Sequence, residues 1–287
     1  MRRFWVVGPI AWDWVLRLAR LPSSGDFIQA QSATGRPGGA GANVALALAS
    51  TSAQVHLVGY VGQDQIGARM LEFLRSGAVD VAHVARFEAR TSQVLIFLEP
   101  SGERTMVGFL PDHLRDVSIP IDEIQAGETV YFAAWHSEFV PAMAELCRRG
   151  ATVATVPPNG EWTSLPARMV IGSESQFGHG GDQESAVRRC ADLASSGMVQ
   201  CVVVTRGAHG ATAYTRQGVL DEPATPVKVV DTTGAGDAFV AGFLWRLVNG
   251  CPVRDALRAG LRWGAAAVSV PQSIPPPWPA SDESHIS

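Results

Sequence analysis

Lysine is almost missing from this chain of 287 residues: Lys228 is the only one among 23 basic residues, and arginine supplies the rest. A phosphate loop of the type G-x-x-x-x-G-K-[ST] needs a lysine after its last glycine, whereas Lys228 follows Val227, so that loop is absent. Schiff-base chemistry would have to use the same residue, and nothing around it favours that role. Cysteine is scarce too. Cys147, Cys190, Cys201 and Cys251 are far apart, form no C-x-x-C pair and lie in or beside apolar segments, which reads as reduced core thiols and removes zinc and a disulfide framework together. Charged residues make up only 17%, and 23 basic against 27 acidic groups leave a net charge of −4 scattered along the chain. No basic field is available to neutralise a nucleic-acid backbone or to dock on anionic lipid, so neither is an expected partner. No stretch approaches 18 uninterrupted apolar residues, and the start MRRFWVVGPI is too short for a signal segment and lacks a small-residue cleavage site, so a cytoplasmic protein is expected.

What is present is apolar surface. At 46% hydrophobic the chain has ample material for a core, and its length suits one large α/β unit with a small appendage better than two equal domains. Short β-branched runs at Phe4–Val7, Val55–Gly59, Val94–Leu98, Val130–Ala133, Thr152–Val156, Met169–Ile171 and Cys201–Thr205 read as strands, and Val227–Val230 is strand-like as well. Between them, 64–76 reads as a helix with Ile66, Met70, Phe73 and Leu74 on one face, followed by helices over 138–149 and 184–196. Alternation of this kind predicts a mostly parallel sheet covered on both faces. Residues 13–35 and 91–109 break the rhythm, the second as a hairpin across Glu99-Pro100-Ser101-Gly102-Glu103, and a small accessory sheet is expected there. From Pro271 the chain turns rich in proline and polar residues, as a surface-wrapping or disordered tail would.

The most informative stretch is Asp231-Thr232-Thr233-Gly234-Ala235-Gly236-Asp237-Ala238-Phe239, which opens an amphipathic run closed by Asn249-Gly250 and Pro252. A glycine-rich turn feeding a helix offers free N–H groups and the positive end of the dipole to an anion. Asp237, in the first turn, is placed to take a proton from an attacking hydroxyl. Taken alone, a bare G-x-G is more often a tight connection, with Asp237 a plain helix-start carboxylate.

The full nine residues are far more specific. They match D-T-x-G-A-G-D-x-F, the C-terminal signature of the ribokinase-like (PfkB) carbohydrate kinase family, which the sequence resembles from about Phe4 to Val270. A second family signature, G-G-x-x-x-N, stands at Gly38-Gly39-Ala40-Gly41-Ala42-Asn43, with smaller likenesses at Asp13, Val61-Gly62-Gln63-Asp64 with Gly67, Gly102-Glu103-Arg104 and Thr205-Arg206-Gly207 with Gly210. A dinucleotide reading of Gly39-Ala40-Gly41 fails because Val44 holds the third glycine position.

The resemblance implies a three-layer α/β/α core over 1–12, 36–90 and 110–270, a small β lid from 13–35 and 91–109, and a proline-rich tail over 271–287. It implies an ATP-dependent kinase acting on a hydroxyl of a sugar or sugar-like molecule with Mg²⁺, the alternatives being a nucleoside kinase of the same family or a catalytically weakened sugar- or nucleotide-binding protein. Asp237 becomes the catalytic base, the backbone of Gly234, Ala235 and Gly236 the anion hole, and Asp13, Gly38, Gly39 and Asn43 the acceptor site. Thr205, Gly207, Ser173 and Gln176 fall on the nucleotide side. Asp231 and Thr233 match the K⁺ site that some relatives possess, with Asp231 as a plain loop cap the alternative. The likeness also admits a homodimer through the lid. Because the transition state of phosphoryl transfer is loose, positioning and charge neutralisation matter more than base strength, and the helix dipole is expected to keep Asp237 charged.

Three departures stand out. The family's N-x-x-E is here Ser173-Glu174-Ser175-Gln176, its D-P-N is Pro157-Pro158-Asn159, and its adenine-side asparagine is replaced by Trp263. A neutral amide is a poorer water-mediated partner for Mg²⁺ than a carboxylate, although Glu174 is a neighbouring substitute. Trp12 and Trp14 flank Asp13 and are expected to pack in core or lid, with stacking on a nucleobase or sugar ring the alternative, and His136 and His179, without spaced metal partners, are expected to be structural.

Overall fold

Valine-rich segments with both faces apolar have to be covered on both sides, and they form the middle of a ten-stranded sheet. The computed structural model describes residues 1–109, 113–158, 165–177, 192 and 197–278. Strands β1 (Arg3–Val7), β4 (Gln54–Gly62), β9 (Thr129–Phe132), β10 (Thr152–Thr155), β11 (Met169–Ser173) and β12 (Cys201–Thr205) run parallel, in the spatial order β12-β11-β10-β9-β1-β4. Two short strands, β5 (Val79–Asp80) and β6 (Val84–Phe87), both pair with β4. At the other edge β13 (Ala211–Thr215) and β14 (Gly218–Glu222) form an antiparallel hairpin that the periodicity had not suggested. Side chains alternate between two cores: Val6, Leu57, Tyr131 and Val203 on one face, Val7, Val58, Val130 and Val202 on the other.

The first face is covered by α1 (Ala40–Ala49), α2 (Gln65–Ser76), α5 (Ala235–Val248) and α6 (Val253–Val268). The second carries α3 (Val140–Arg148) and the one-turn α4 (Glu174–Phe177). The helix expected over 138–149 begins with a 3₁₀ turn at Ser137–Phe139, and the one expected over 184–196 lies outside the described residues except for Asp192. Phe73, assigned to the buried face of α2, is 38% exposed, whereas Met70 and Leu74 are fully covered. Val227–Val230 is no strand: it pairs with nothing in the sheet, and Val227 and Val229 face solvent. No helix among the described residues is long and apolar enough to cross a membrane.

A separate four-stranded sheet, in the order β3-β2-β7-β8, is built from β2 (Ala11–Arg17), β3 (Ser32–Gly38), β7 (Ser92–Leu98) and β8 (Arg104–Phe109). Its strands extend past 13–35, because β2 and β3 stay in register from Ala11–Gly38 to Arg17–Ser32. Asp64 ties this sheet to the core. Its carboxylate caps α2 by accepting from Gly67 N at 2.7 Å and also takes Thr91 N and Oγ1 at 2.9 and 2.6 Å, just before β7.

As far as Trp278 the segment from Pro271 lies against the core, with Pro271, Gln272 and Pro277 exposed. Ser273 and Trp278 are buried, Trp278 meets Trp263 edge-on with centroids 4.8 Å apart, and Trp263 Nε1 donates to the Pro276 carbonyl at 2.7 Å. Residues 279–287 lie outside the described residues.

Candidate active site

The C-terminal ends of the parallel strands, where the edges of open α/β sheets bind ligands, meet the lid sheet and the start of α5. Gly234 caps α5 with φ of 79°, and a Cβ there would lie 2.0 Å from the Ser273 carbonyl oxygen, so only glycine admits both the turn and the returning chain. At Gly236, by contrast, a Cβ would meet nothing within 4 Å, which leaves open space above the first helical turn. The N–H groups of Gly236 and Asp237 have no partner among the described residues, and that of Ala235 reaches the Thr232 carbonyl only at 3.4 Å. The turn therefore presents the unmet donors that an anion requires.

Asp237 stands in that first turn, and packing of α1 against α5 brings Asn43 to it, with Asn43 Nδ2 donating to Asp237 Oδ2 at 2.7 Å. Asn43 Oδ1 remains buried and unpaired, an acceptor facing a missing donor. Burial pushes the pKa of Asp237 up to about 6, against the opposing pull of the Asn43 hydrogen bond and the Arg104 charge. Burial thus makes Asp237 a stronger base than an ordinary aspartate, yet a pKa of about 6 still leaves it charged at neutral pH, as the helix dipole led us to expect, and the residue stays partly exposed. Tyr131 on β9 is buried nearby without a hydrogen-bond partner among the described residues, and burial, aided by the Asp237 charge, raises its pKa and keeps it a neutral donor.

Asp13 reaches the same cleft from β2. Its Oδ2 accepts Ser273 Oγ at 2.7 Å, and a Cβ on Gly38 would fall 2.1 Å from that oxygen, so Gly38 makes room for the carboxylate. Burial raises the Asp13 pKa, partly countered by Ser273 and by Arg36. Gly39 caps α1. Trp12 packs as expected, under the guanidinium of Arg69 at 5.0 Å, whereas Trp14 is 38% exposed and only its edge-on contact with Trp12 and a bond to Gln93 hold it.

Two lid arginines complete the cluster, and the sequence reading gave neither a role. Arg104 Nη1 donates to Thr232 Oγ1, and its charge acts on both Asp13 and Asp237. Arg36 Nη2 donates to Asp231 Oδ2 at 2.8 Å, while Asp231 Oδ1 accepts Thr233 N at 2.9 Å and Thr233 Oγ1 is buried without a partner. Arg36 lies 195 positions from Asp231, and no local pattern could have paired them.

Of the residues expected on the nucleotide side, Ser173 and Thr205 are register partners at the ends of β11 and β12, and Gly207 follows in an open turn. Gln176 folds back: its Oε1 accepts Ser173 N at 2.8 Å and Ser173 Oγ at 3.2 Å. Trp263 is in the core, where it anchors the chain near Pro276. His136 packs edge-on to Phe139, whereas Asn159, His179 and Cys190 lie outside the described residues. Cys147, Cys201 and Cys251 are free thiols.

A family model described as pfkB family carbohydrate kinase matches residues 1–280. Over 272 residues the chain is 29% identical to an ATP-dependent ribose-1-phosphate kinase of Halopiger xanaduensis, with 92% of this chain and 91% of that protein covered. Among solved structures, a double mutant of fructokinase from Vibrio cholerae O395 bound to fructose, ADP and potassium is 27% identical with a TM-score of 0.77, covering 100% of this chain and 99% of that one. A nucleoside kinase of Burkholderia thailandensis in complex with inosine shares the fold with a TM-score of 0.81 at 19% identity, over 99% of this chain and 95% of that one.

Proposed function

The chain belongs to the pfkB family of carbohydrate kinases, and we propose that it uses ATP to phosphorylate a hydroxyl of a sugar or sugar-like acceptor in the cleft between Asp13 and Asp237. The observation that carries this reading is the pairing, in one first helical turn, of unmet N–H donors with a carboxylate whose pKa burial has raised to about 6. The acceptor's hydroxyls meet Asp13 and the unpaired Asn43 Oδ1, each of which is costly to leave unmatched in a buried site. The reacting hydroxyl gives its proton to Asp237 as its oxygen attacks the γ-phosphorus, and ADP departs. Charge on the transferring group falls on the α5 amides and on Arg104.

We take the divalent cation to be Mg²⁺. Among the described residues no group of three or more His, Cys, Asp or Glu side chains gathers to hold a metal. Glu174, just past the end of β11, would be the carboxylate to hold water around the ion, which would supply charge neutralisation for the nucleotide's phosphates. For K⁺ the residues do not fit, since Asp231 is already ion-paired to Arg36. The exposed Met106, Val107 and Phe109 of β8 suit a homodimer through the lid, and a monomer in sedimentation velocity at working concentration would discard it.

The deciding test is coupled ADP release with Mg-ATP across D-fructose, D-ribose, ribose 1-phosphate and inosine. Acceptor-dependent ADP is expected with at least one sugar. Thermal stabilisation by acceptors without ADP above the acceptor-free rate would instead establish a binding protein, and turnover of inosine alone a nucleoside kinase.

A further inference from the structure

Asp231 is fully cut off from water, yet it stands at the head of the turn that makes the anion hole. A buried carboxylate needs a matching charge, and Arg36, with 16% of its side chain exposed, provides it. The same guanidinium donates through Nη1 to the Pro271 carbonyl at 3.0 Å. A carboxylate oxygen and a main-chain carbonyl thus converge from two chain segments, with the unpaired Thr233 hydroxyl two positions further on. All-oxygen groups of this kind replace the hydration shell of an alkali cation elsewhere in proteins. Here the guanidinium takes their electron pairs.

We propose that Arg36 is a tethered counter-cation that holds the Asp231–Gly234 turn against the 271–273 segment, so that phosphoryl transfer by this protein needs no alkali cation. It is a positioning residue. It acts through Asp231 on Thr233 and so on Gly234, whose left-handed turn aims the α5 amides. It also sets the charge of the site. Asp13, Asp231 and Asp237 face Arg36 and Arg104, and without Arg36 a second uncompensated negative charge would oppose the nucleotide's phosphates. A free ion leaves the site when its concentration falls, whereas a charge on β3, paired in register with Asp13, cannot diffuse away.

The kinetic arm of the test rests on the kinase reading, and the thermal arm does not. The full chain, Arg36→Ala and Arg36→Lys are compared in KCl and in tetramethylammonium chloride at equal ionic strength. In thermal unfolding the wild type should have the same midpoint in both salts within about 1 °C, and Arg36→Ala a lower one that K⁺ or a few millimolar guanidinium raises by about 3 °C or more. In ADP release with the acceptor that turns over, wild-type rates should agree within about twofold between salts, while Arg36→Ala loses about tenfold and recovers about threefold or more in K⁺. Wild-type stimulation by K⁺ of more than about fivefold, or an Arg36→Ala rate equal to wild type without K⁺, overturns the proposal. If Arg36→Ala does not fold, Arg36→Lys decides: K⁺-independent turnover supports the tethered charge, and K⁺-dependent turnover refutes it. Absence of ADP from all proteins, with the thermal differences intact, would fault the kinase reading alone.

Discussion

The two halves of the cleft are built differently. On the acceptor side each functional group is fixed by at least one distant segment: Asn43 on Asp237, Ser273 on Asp13, Arg36 on Asp231, and the Ser273 carbonyl against Gly234. On the nucleotide side Gln176 is held by Ser173, three residues away, Gly207 borders open space, and Trp263 has withdrawn into the core. A residue locked by several long-range contacts tolerates little change, whereas one held by its own turn drifts freely in sequence. Both signature segments fall in the first of these two halves of the cleft, and the departures at Ser173, Gln176 and Trp263 fall in the second.

The contrast breaks most sharply at Asp237. Asp237→Asn should lower turnover by about 10²–10⁴-fold while leaving nucleotide and acceptor affinity within a few-fold, as read by steady-state kinetics and calorimetry. Retention of more than about a tenth of the rate would remove Asp237 as the base. Next in size is Gly234→Ala, which has to relieve both the positive φ and the contact with Ser273, and should cost about 2–4 kcal/mol in urea unfolding. Gly207→Ala, on the nucleotide side, has open space around it and should cost only about 1 kcal/mol, from its φ of 54° alone. Equal losses would erase the distinction between the halves.

The pH profile gives a smaller effect. A carboxylate with a raised pKa takes up its proton early, so kcat/KM should fall as pH drops through about 6, not through the ordinary aspartate range, and stay flat above. A profile flat down to pH 5 would contradict the desolvated base. Smallest is the repair of the nucleotide side. A glutamate at 176 can keep the bond from Ser173 N and add a charge for metal-bound water, so Gln176→Glu, alone or with Ser173→Asn, should lower the Mg²⁺ concentration for half-maximal activity by about 3- to 30-fold. An unchanged Mg²⁺ dependence in both variants would leave Glu174 as the sufficient carboxylate.

Much of the fold was legible because burial on both faces imposes β-branched composition, as in the fully buried Thr129–Phe132. Val227–Val230 has that composition without the burial, and Val227 and Val229 project into solvent with no strand beside them. The β13–β14 hairpin escaped notice because an edge pair need not be apolar, as Gly218–Glu222 illustrates. Within the site, residues carried by a local signature were readable, whereas Arg36, Tyr131 and Ser273 gain meaning only from partners far away in sequence. The proline-rich composition after Val270 suggested surface, but prolines that cannot extend a helix also suit a chain that turns back after α6 and sets Trp278 edge-on against Trp263.

The hydrogen bond between Asp13 and Ser273 joins positions 260 apart, and it orders events during synthesis. A nascent chain that has emerged through α6 already carries every strand among the described residues, both signatures and Asp237, yet Asp13 still lacks Ser273. The pocket is completed only when the chain that follows α6 returns to the second strand made. Residues before the end of α6 can therefore build most of the core while Asp13 still waits for the partner that fixes it.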